Sequence, residues 1–396
     1  MLYGLPALLA SGSIDFSFKP PFFGRVSLKR LMPGRNPLTA PIPSRQHVAA
    51  MKQPKIRIGI VGAGGIVLSR HLPALRAMPN VEIVAVSNSS YASSERFCRE
   101  HLPHATPIKN WADLVALPDL DVVWIGTPPS LHAPVSISAL EAGRHVFCQA
   151  RMAMNLREAV EMLEAARRRL DRVTALCPPP FGMKGDAVVR QWLNEGRIGK
   201  PLQVRLRSLN GLFADPSTPA HWRQRYELSG LNILSLGIYV EVLQRWLGPI
   251  QAVTARGRVV HPYREGYQVR IPDFVNVLAE FENGAEGVLE FSGVATAAPG
   301  DQVEIYGESG MLRYEMSTDA IFAARDRENT PQPVEIPPEM AKPWTVERDF
   351  ITAVTTPTAP RPAPSFEEGV RYMRVVQAVA DSLASGERVS IDLGAV

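Results

Sequence analysis

Lys55 to Asn88 reads KIRIGIVGAGGIVLSRHLPALRAMPNVEIVAVSN, and this stretch decides the fold. Ile56, Ile58, Ile60 and Val61 form a short β-branched apolar run, the mark of a buried parallel strand. Gly62-Ala63-Gly64-Gly65-Ile66-Val67 follows at once, then a helical pattern with Leu68, Leu72 and Leu75 on one face, then a second apolar run, Val81–Val86. Strand, glycine turn, helix and strand form the context in which a G-x-G points to a dinucleotide. Gly62 permits the tight turn, and Gly64 lets backbone approach a pyrophosphate with no Cβ in the way. The helix beyond offers free N–H groups and a partial positive charge. Gly65 and Ile66 complete that cradle. The third small position is Val67, bulkier than the usual Gly or Ala, which predicts a helix set slightly farther from the strand.

Outward from this unit, strand and helix keep alternating as far as Ala175. The pattern predicts a helix near Ser93–His101, a short helix at 111–115, a strand at Asp121–Gly126, a helix at Ala133–Ala142 capped by Gly143, and a strand at His145–Cys148. Asn155 then caps a helix over Leu156–Arg169, and 173–176 reads as the last strand. A doubly wound parallel sheet follows, with ligands at the carboxyl ends of its strands. Gly62–Val67, Asn88, Ser89, Thr127, Pro128 and Gln149 fall there. An acid at position 88 would bind a ribose 2′-hydroxyl. Asn88, with Ser87, Ser89 and Ser90, removes the charge that repels a 2′-phosphate, so NAD and NADP both remain open.

After Pro178-Pro179-Pro180 the character changes. A helix near Gly185–Glu195 precedes alternating strands at Leu202–Leu209, Ile250–Val259, Phe274–Phe281, Gly287–Ser292 and Gln302–Tyr306. Asn283-Gly284 signals a hairpin, and helices are expected at Leu234–Leu247 and Glu367–Leu383. The class is therefore α/β followed by α+β: a Rossmann domain over 55–176, then a mainly antiparallel sheet domain with flanking helices over 177–396.

Residues 1–54 are Pro-, Ser- and Arg-rich and read as a disordered extension or an upstream mis-assigned start, with Met51 as the alternative. Residues 1–50 carry six Lys/Arg against Asp15, so the net +4 of the chain leaves the remainder near −1. That balance gives no basic signal for nucleic acid. No apolar run approaches the roughly 20 residues of a membrane span. The three cysteines, Cys98, Cys148 and Cys177, argue for a reducing, cytoplasmic setting, and no Cys/His cluster has metal spacing.

Several stretches, in order, resemble the Gfo/Idh/MocA family of glucose–fructose oxidoreductase and inositol 2-dehydrogenase. They are GIVGAGGI at Gly59–Ile66, TPPSLH at Thr127–His132, ALEAGRHVFC at Ala139–Cys148, MAMNLREA at Met152–Ala159, GRIGKP at Gly196–Pro201, HWRQRYELSG at His221–Gly230 and LGIYVEVLQRWLG at Leu236–Gly248, with the tail from Phe366 to Leu393. The resemblance implies a Rossmann domain, an open-faced sheet, NAD or NADP as cofactor and a sugar- or polyol-like substrate. It also implies pairing through the sheet as a homodimer or homotetramer. It brings His132 to the cofactor loop and His221 and Trp222 to the substrate side.

The chain departs from the family pattern where the chemistry sits. The usual Glu-Lys-Pro reads Gln149-Ala150-Arg151, and the usual Asp and His, four residues apart, read Ser235 and Tyr239. Tyr239 is then the acid/base candidate, since glucose–fructose oxidoreductase-like members use Tyr where others use His. A nearby cation would help it by favouring phenolate. Arg151 is a permanent cation suited to holding an anion or hydroxyl rather than moving a proton. Two readings follow: an NAD(P)-dependent sugar or polyol oxidoreductase, and an impaired dinucleotide- or sugar-binding regulator on the same scaffold. A third, a lyase or epimerase recycling its own NAD, needs the same missing base.

Overall fold

The computed structural model describes residues 55–179, 183–325, 328 and 330–394 of the 396. The expected extension at 1–54 lies outside these residues.

Six parallel strands form the first sheet: β1 (Ile56–Val61), β2 (Val81–Ser87), β3 (Thr106–Pro107), β4 (Val122–Ile125), β5 (His145–Cys148) and β6 (Thr174–Leu176), in the order β3-β2-β1-β4-β5-β6. The order reverses between β1 and β4, and that switch point is where the glycine turn opens. The β1, β4 and β5 runs are almost wholly buried because helices cover both faces: α1 (Leu72–Arg76), α2 (Tyr91–His101), α3 (Trp111–Val115), α4 (His132–Glu141) and α5 (Leu156–Arg167). The caps act as the sequence implied. Asn155 Oδ1 accepts from Glu158 N–H at 3.0 Å, and Gly143 takes φ +79° after α4.

One helical face differs from expectation. The helix after the glycine turn contains a π-helical turn at Val67–His71, just ahead of Pro73, where Leu72 N–H donates to Val67 C=O. The extra residue rotates the face, so Val67, His71, Leu72 and Leu75 are buried and Leu68 is 39% exposed. Val67 is accommodated by its neighbour. A Cβ on Gly126 would stand 2.5 Å from Val67 Cγ2 and 2.4 Å from Gly62 O. The bulk at the third small position is thus taken up by a glycine after β4.

The second sheet has nine strands: β7 (Pro201–Leu209), β8 (Ile250–Arg258), β11 (Phe274–Phe281), β12 (Glu286–Ser292), β13 (Gln302–Gly307), β14 (Gly310–Glu315), β15 (Ala320–Arg325), β16 (Gln332–Val334) and β17 (Val389–Ser390). A separate ribbon pairs β9 (Tyr263–Arg264) with β10 (Tyr267–Gln268). All nine-strand pairings are antiparallel except β7 with β12. Asn283-Gly284 makes the β11–β12 turn, with Gly284 at φ +87°. Strand burial alternates: Val275, Val277, Ala279 and Phe281 of β11 face inward, and Leu278 faces out.

The inner face packs on α8 (Leu236–Leu247) and α10 (Phe366–Ser385), beside α6 (Asp186–Asn194), and a short helix α7 (Tyr226–Ser229) precedes α8. The outer face carries the pairs Arg205–Glu290 and Arg207–Glu304. α9 (Val346–Thr355) comes late in the chain yet packs in the first core, where Phe350 meets Trp124 and Phe147 edge-on.

Candidate functional site

The carboxyl ends of β1 to β4 surround a cleft of about 460 Å³. Gly62, Ala63 and Gly64 line it after β1, Ser87, Asn88 and Ser89 after β2, Lys109 and Asn110 after β3, and Gly126, Thr127 and Pro128 after β4. Each group stands at a strand end because a parallel βαβ unit delivers every strand-to-helix loop to the same edge.

The glycine turn is held by the side chain of Asn88. Its Oδ1 accepts from Ala63 N–H at 2.7 Å. Gly62 lies at φ +85°, a conformation that favours glycine. A Cβ there would stand 2.5 Å from Thr127 Cγ2 and 2.7 Å from Thr127 N, so the loops after β1 and β4 could not close together. Beside Gly64 and Gly65 a Cβ would meet nothing within 4 Å. The open space lies at the first helical turn, whose N–H groups have no earlier carbonyl to bond. Thr127 Oγ1 is buried in the same cleft with no partner. A groove floored by backbone, an N-terminal helical turn and an unpaired hydroxyl suit a dinucleotide. Ile66 is half-buried at the start of the helix, and Ser89 and Pro128 form the rim.

Two expected cofactor residues face elsewhere. His132 is fully buried, its Nδ1 2.9 Å from Arg151 O and its Nε2 2.8 Å from Thr127 O. Burial lowers its pKa to about 4, so the ring is neutral and donates to one of the two carbonyls. It ties the loop after β4 to the loop after β5. The Gln149 amide turns into the first core, where its Nε2–H donates to His71 Nε2. His71 Nδ1–H then donates to Glu347 Oε1 at 2.5 Å, and Trp344 Nε1–H donates to Glu347 Oε2 at 2.9 Å. Late-chain residues thereby fix the end of β5.

Tyr239 and Ser235 lie four residues apart, at and just before the first turns of α8, and both face the second sheet. Ser235 Oγ meets Ser208 Oγ at 2.7 Å, at the end of β7. Tyr239 O–H donates to Asp301 Oδ2, just ahead of β13. Ser208 also lies close to both Tyr239 and Asp301. No cation is among the groups that shift Tyr239. Burial and then the Asp301 charge raise the Tyr239 pKa, disfavouring phenolate. Burial likewise raises Asp301. The phenol is therefore protonated and poised to pass its proton to a carboxylate that can accept one. Asp301 and Ser208 left no signal in the sequence, because nothing marks two residues 93 apart as neighbours of one helix. Glu241, on the same helix, turns away to Arg245 at 3.2 Å.

Arg151 is enclosed. Its Nη1–H donates to Leu234 O at 2.7 Å, while Nε and Nη2 have no partner. Ala150, beside it in sequence, brings no charge. Among the described residues, no group of three His, Cys, Asp or Glu could hold a metal ion, and no helix is long and apolar enough to cross a membrane.

Comparison with known proteins agrees with this geometry. Residues 56–176 match a family described as "Oxidoreductase family, NAD-binding Rossmann fold", and residues 187–313 match the GFO/IDH/MocA C-terminal domain. The chain is 29% identical over 319 residues to dTDP-3,4-didehydro-2,6-dideoxy-alpha-D-glucose 3-reductase of Streptomyces antibioticus, covering 77% of this chain and 90% of that one. It is 26% identical over 375 residues to levoglucosan dehydrogenase of Pseudarthrobacter phenanthrenivorans, covering 85% and 91%. Among solved structures, an NAD binding oxidoreductase from Klebsiella pneumoniae superposes with TM-score 0.73 at 26% identity, over 85% of this chain and 99% of that one.

Proposed function

The chain belongs to the Gfo/Idh/MocA oxidoreductase family, and from that premise we propose that it exchanges hydride between a nicotinamide cofactor and a carbon-bound hydroxyl of a sugar-like substrate. The observation that carries the reading is the open space beside Gly64 and Gly65, in the cleft that Asn88 and Thr127 also line. The sugar reductase and levoglucosan dehydrogenase relatives support the substrate class.

The bound nicotinamide supplies the hydride acceptor or donor. The protein's own part is to place the substrate and move the proton. Gly62, Gly64, Gly65 and Ile66 give the pyrophosphate a floor of backbone, and Asn88 holds that floor by its bond to Ala63 N–H. Ser89, Thr127 and Pro128 line the walls, and His132 and Gln149 brace the loops from behind. On oxidation, Tyr239 Oη takes the substrate hydroxyl proton as its own proton passes to Asp301 Oδ2. This route avoids a free buried phenolate, which burial and the Asp301 charge disfavour. The impaired-regulator alternative is not favoured, because a donor–acceptor pair occupies the position that the family histidine vacated.

The ribose end of the cleft carries Asn88, Ser89, Ser93 and Lys109 and no carboxylate. Such a rim accepts NADP as well as NAD, and Lys109 is the cation placed to meet a 2′-phosphate. Lys109→Gln is therefore expected to weaken NADPH binding about fivefold, with NADH changed less than about twofold, by calorimetric titration. Equal losses for both cofactors would remove Lys109 from that role. Cytoplasmic location rests on three buried, unpaired cysteines. Pairing of two copies through the open sheet face, where Leu202, Leu278 and Tyr306 are exposed, completes the reading.

The test is a screen of cyclic sugars and polyols against NAD and NADP, read by the near-ultraviolet absorbance of the reduced nicotinamide. Reduction with at least one sugar is expected. Tight cofactor binding with no reduction across the panel would favour the regulator.

A further inference from the structure

Arg151 and Arg223 form a pair of cations without a counter-ion. The Arg151 guanidinium lies 5.9 Å from the Trp222 ring centroid, and that of Arg223 lies 4.2 Å from the same centroid. Arg151 is 1% exposed and leaves Nε and Nη2 with no partner. Arg223 is half-buried. Among the described residues, neither makes an ion pair with a carboxylate, whereas the neighbouring Arg225 pairs with Glu227 and Arg245 pairs with Asp186 and Glu241. The strain of the arrangement is electrostatic. Burial and then the charge of Arg223 bring Arg151 down to about 9, and burial followed by the same Arg223 charge brings His221 down to about 4.

Buried charge of one sign is costly unless something of the other sign meets it. The position narrows what that is. Arg151 follows Gln149 and Ala150 at the carboxyl end of β5, the edge where a doubly wound sheet holds its ligands. Trp222 and Arg223 belong to a one-turn helix, Trp222–Gln224, that leads into α7 of the second domain. Arg151 also packs under the start of α8, its Cγ 3.3 Å from where a Cβ on Gly237 would be. The cations thus sit between the end of β5 and the N-terminal end of α8, the helix that carries Tyr239.

We propose that Arg223, backed by the field of Arg151, receives an anionic substituent of the substrate, a carboxylate or a phosphate, so that the enzyme acts on a charged sugar rather than a neutral one. This rests on the oxidoreductase reading above. Guanidinium forks match both oxyanions, and the Trp222 indole holds the two cations in place. Arg223 is the group a ligand reaches first, and Arg151 stays enclosed.

The experiment titrates the NADH-loaded full chain with D-glucuronate, D-glucose 6-phosphate and D-glucose. At least one charged sugar is expected to bind about tenfold or more tightly than glucose, and the advantage should shrink as salt is raised. The preferred ligand tells carboxylate from phosphate. Arg223→Gln should erase the advantage while NADH affinity stays unchanged, which also shows that the variant is folded. Glucose binding as well as both charged sugars, or a charge preference that survives Arg223→Gln, would overturn the proposal with the oxidoreductase reading intact. Failure to bind NADH would instead overturn that reading, and this inference with it.

Discussion

Tyr239→Phe lowers kcat by about two to four orders of magnitude with the best sugar of the screen, while the Kd for NADH stays within about twofold. The expectation follows from position. The phenol is 4% exposed and bonded to Asp301, beneath the second sheet, and that partner does not line the dinucleotide cleft. Removing one oxygen therefore takes out the proton path and leaves the cradle alone. Asp301→Asn separates a proton carrier from a packing group. The amide can still accept the Tyr239 hydrogen bond but cannot take its proton. Because burial raises the Asp301 pKa, the carboxylate becomes available only as pH rises through that raised value. Oxidation by the native enzyme should then climb along that limb, and Asp301→Asn should flatten it at a much lower rate. Unchanged kcat in Tyr239→Phe would strike Tyr239 from the mechanism.

Gly62→Ala carries the second large effect, this time on binding and stability. The substitution puts an L side chain at φ +85°, at a cost of about 1–3 kcal/mol. The added methyl also meets Thr127 N at 2.7 Å and Gly126 C at 2.9 Å, and backbone cannot swing aside as a flexible side chain can. The loops after β1 and β4 must part, which moves both walls of the cleft. NADH affinity should fall by at least about tenfold, and the melting temperature should drop by several degrees. Gly64→Ala makes the contrast, since its Cβ would enter open space. That variant should keep the native melting temperature and lose affinity only through contact with the cofactor. If Gly62→Ala bound NADH as the native protein does, the turn would have no part in holding it.

The strand–glycine–helix–strand pattern and the caps at Gly143 and Asn155 were legible because local periodicity and turn chemistry specify them within a few residues. So was the β11–β12 hairpin at Asn283-Gly284. The strands β14 to β16 and helix α9 were not read, because their positions are set by pairing with the rest of the sheet and by burial against Trp124 and Phe147. The face of the first helix was misread at Leu68 because a π-helical turn ahead of Pro73 shifts the period.

The site was legible in a similar way. Asn88, Thr127 and Pro128 stand at strand ends, as the topology implies, and line the cleft there. Asp301 and Ser208 join Tyr239 only through the fold, and the absence of a carboxylate paired with Arg151 or Arg223 among the described residues is a property of what surrounds them. His132 and Gln149 show what topology leaves open, namely where a side chain turns. Each stands in a loop beside the cleft, yet its polar atoms turn inward to Thr127, Arg151 and His71.

The most direct test of the central claim is a calorimetric titration of the full chain with NADH. The account predicts saturable binding of one dinucleotide per chain, lost or sharply weakened in Gly62→Ala. No heat with NADH, none with NADPH and no nucleotide released on denaturing the protein would contradict it, leaving the Gly62–Gly65 turn as architecture alone.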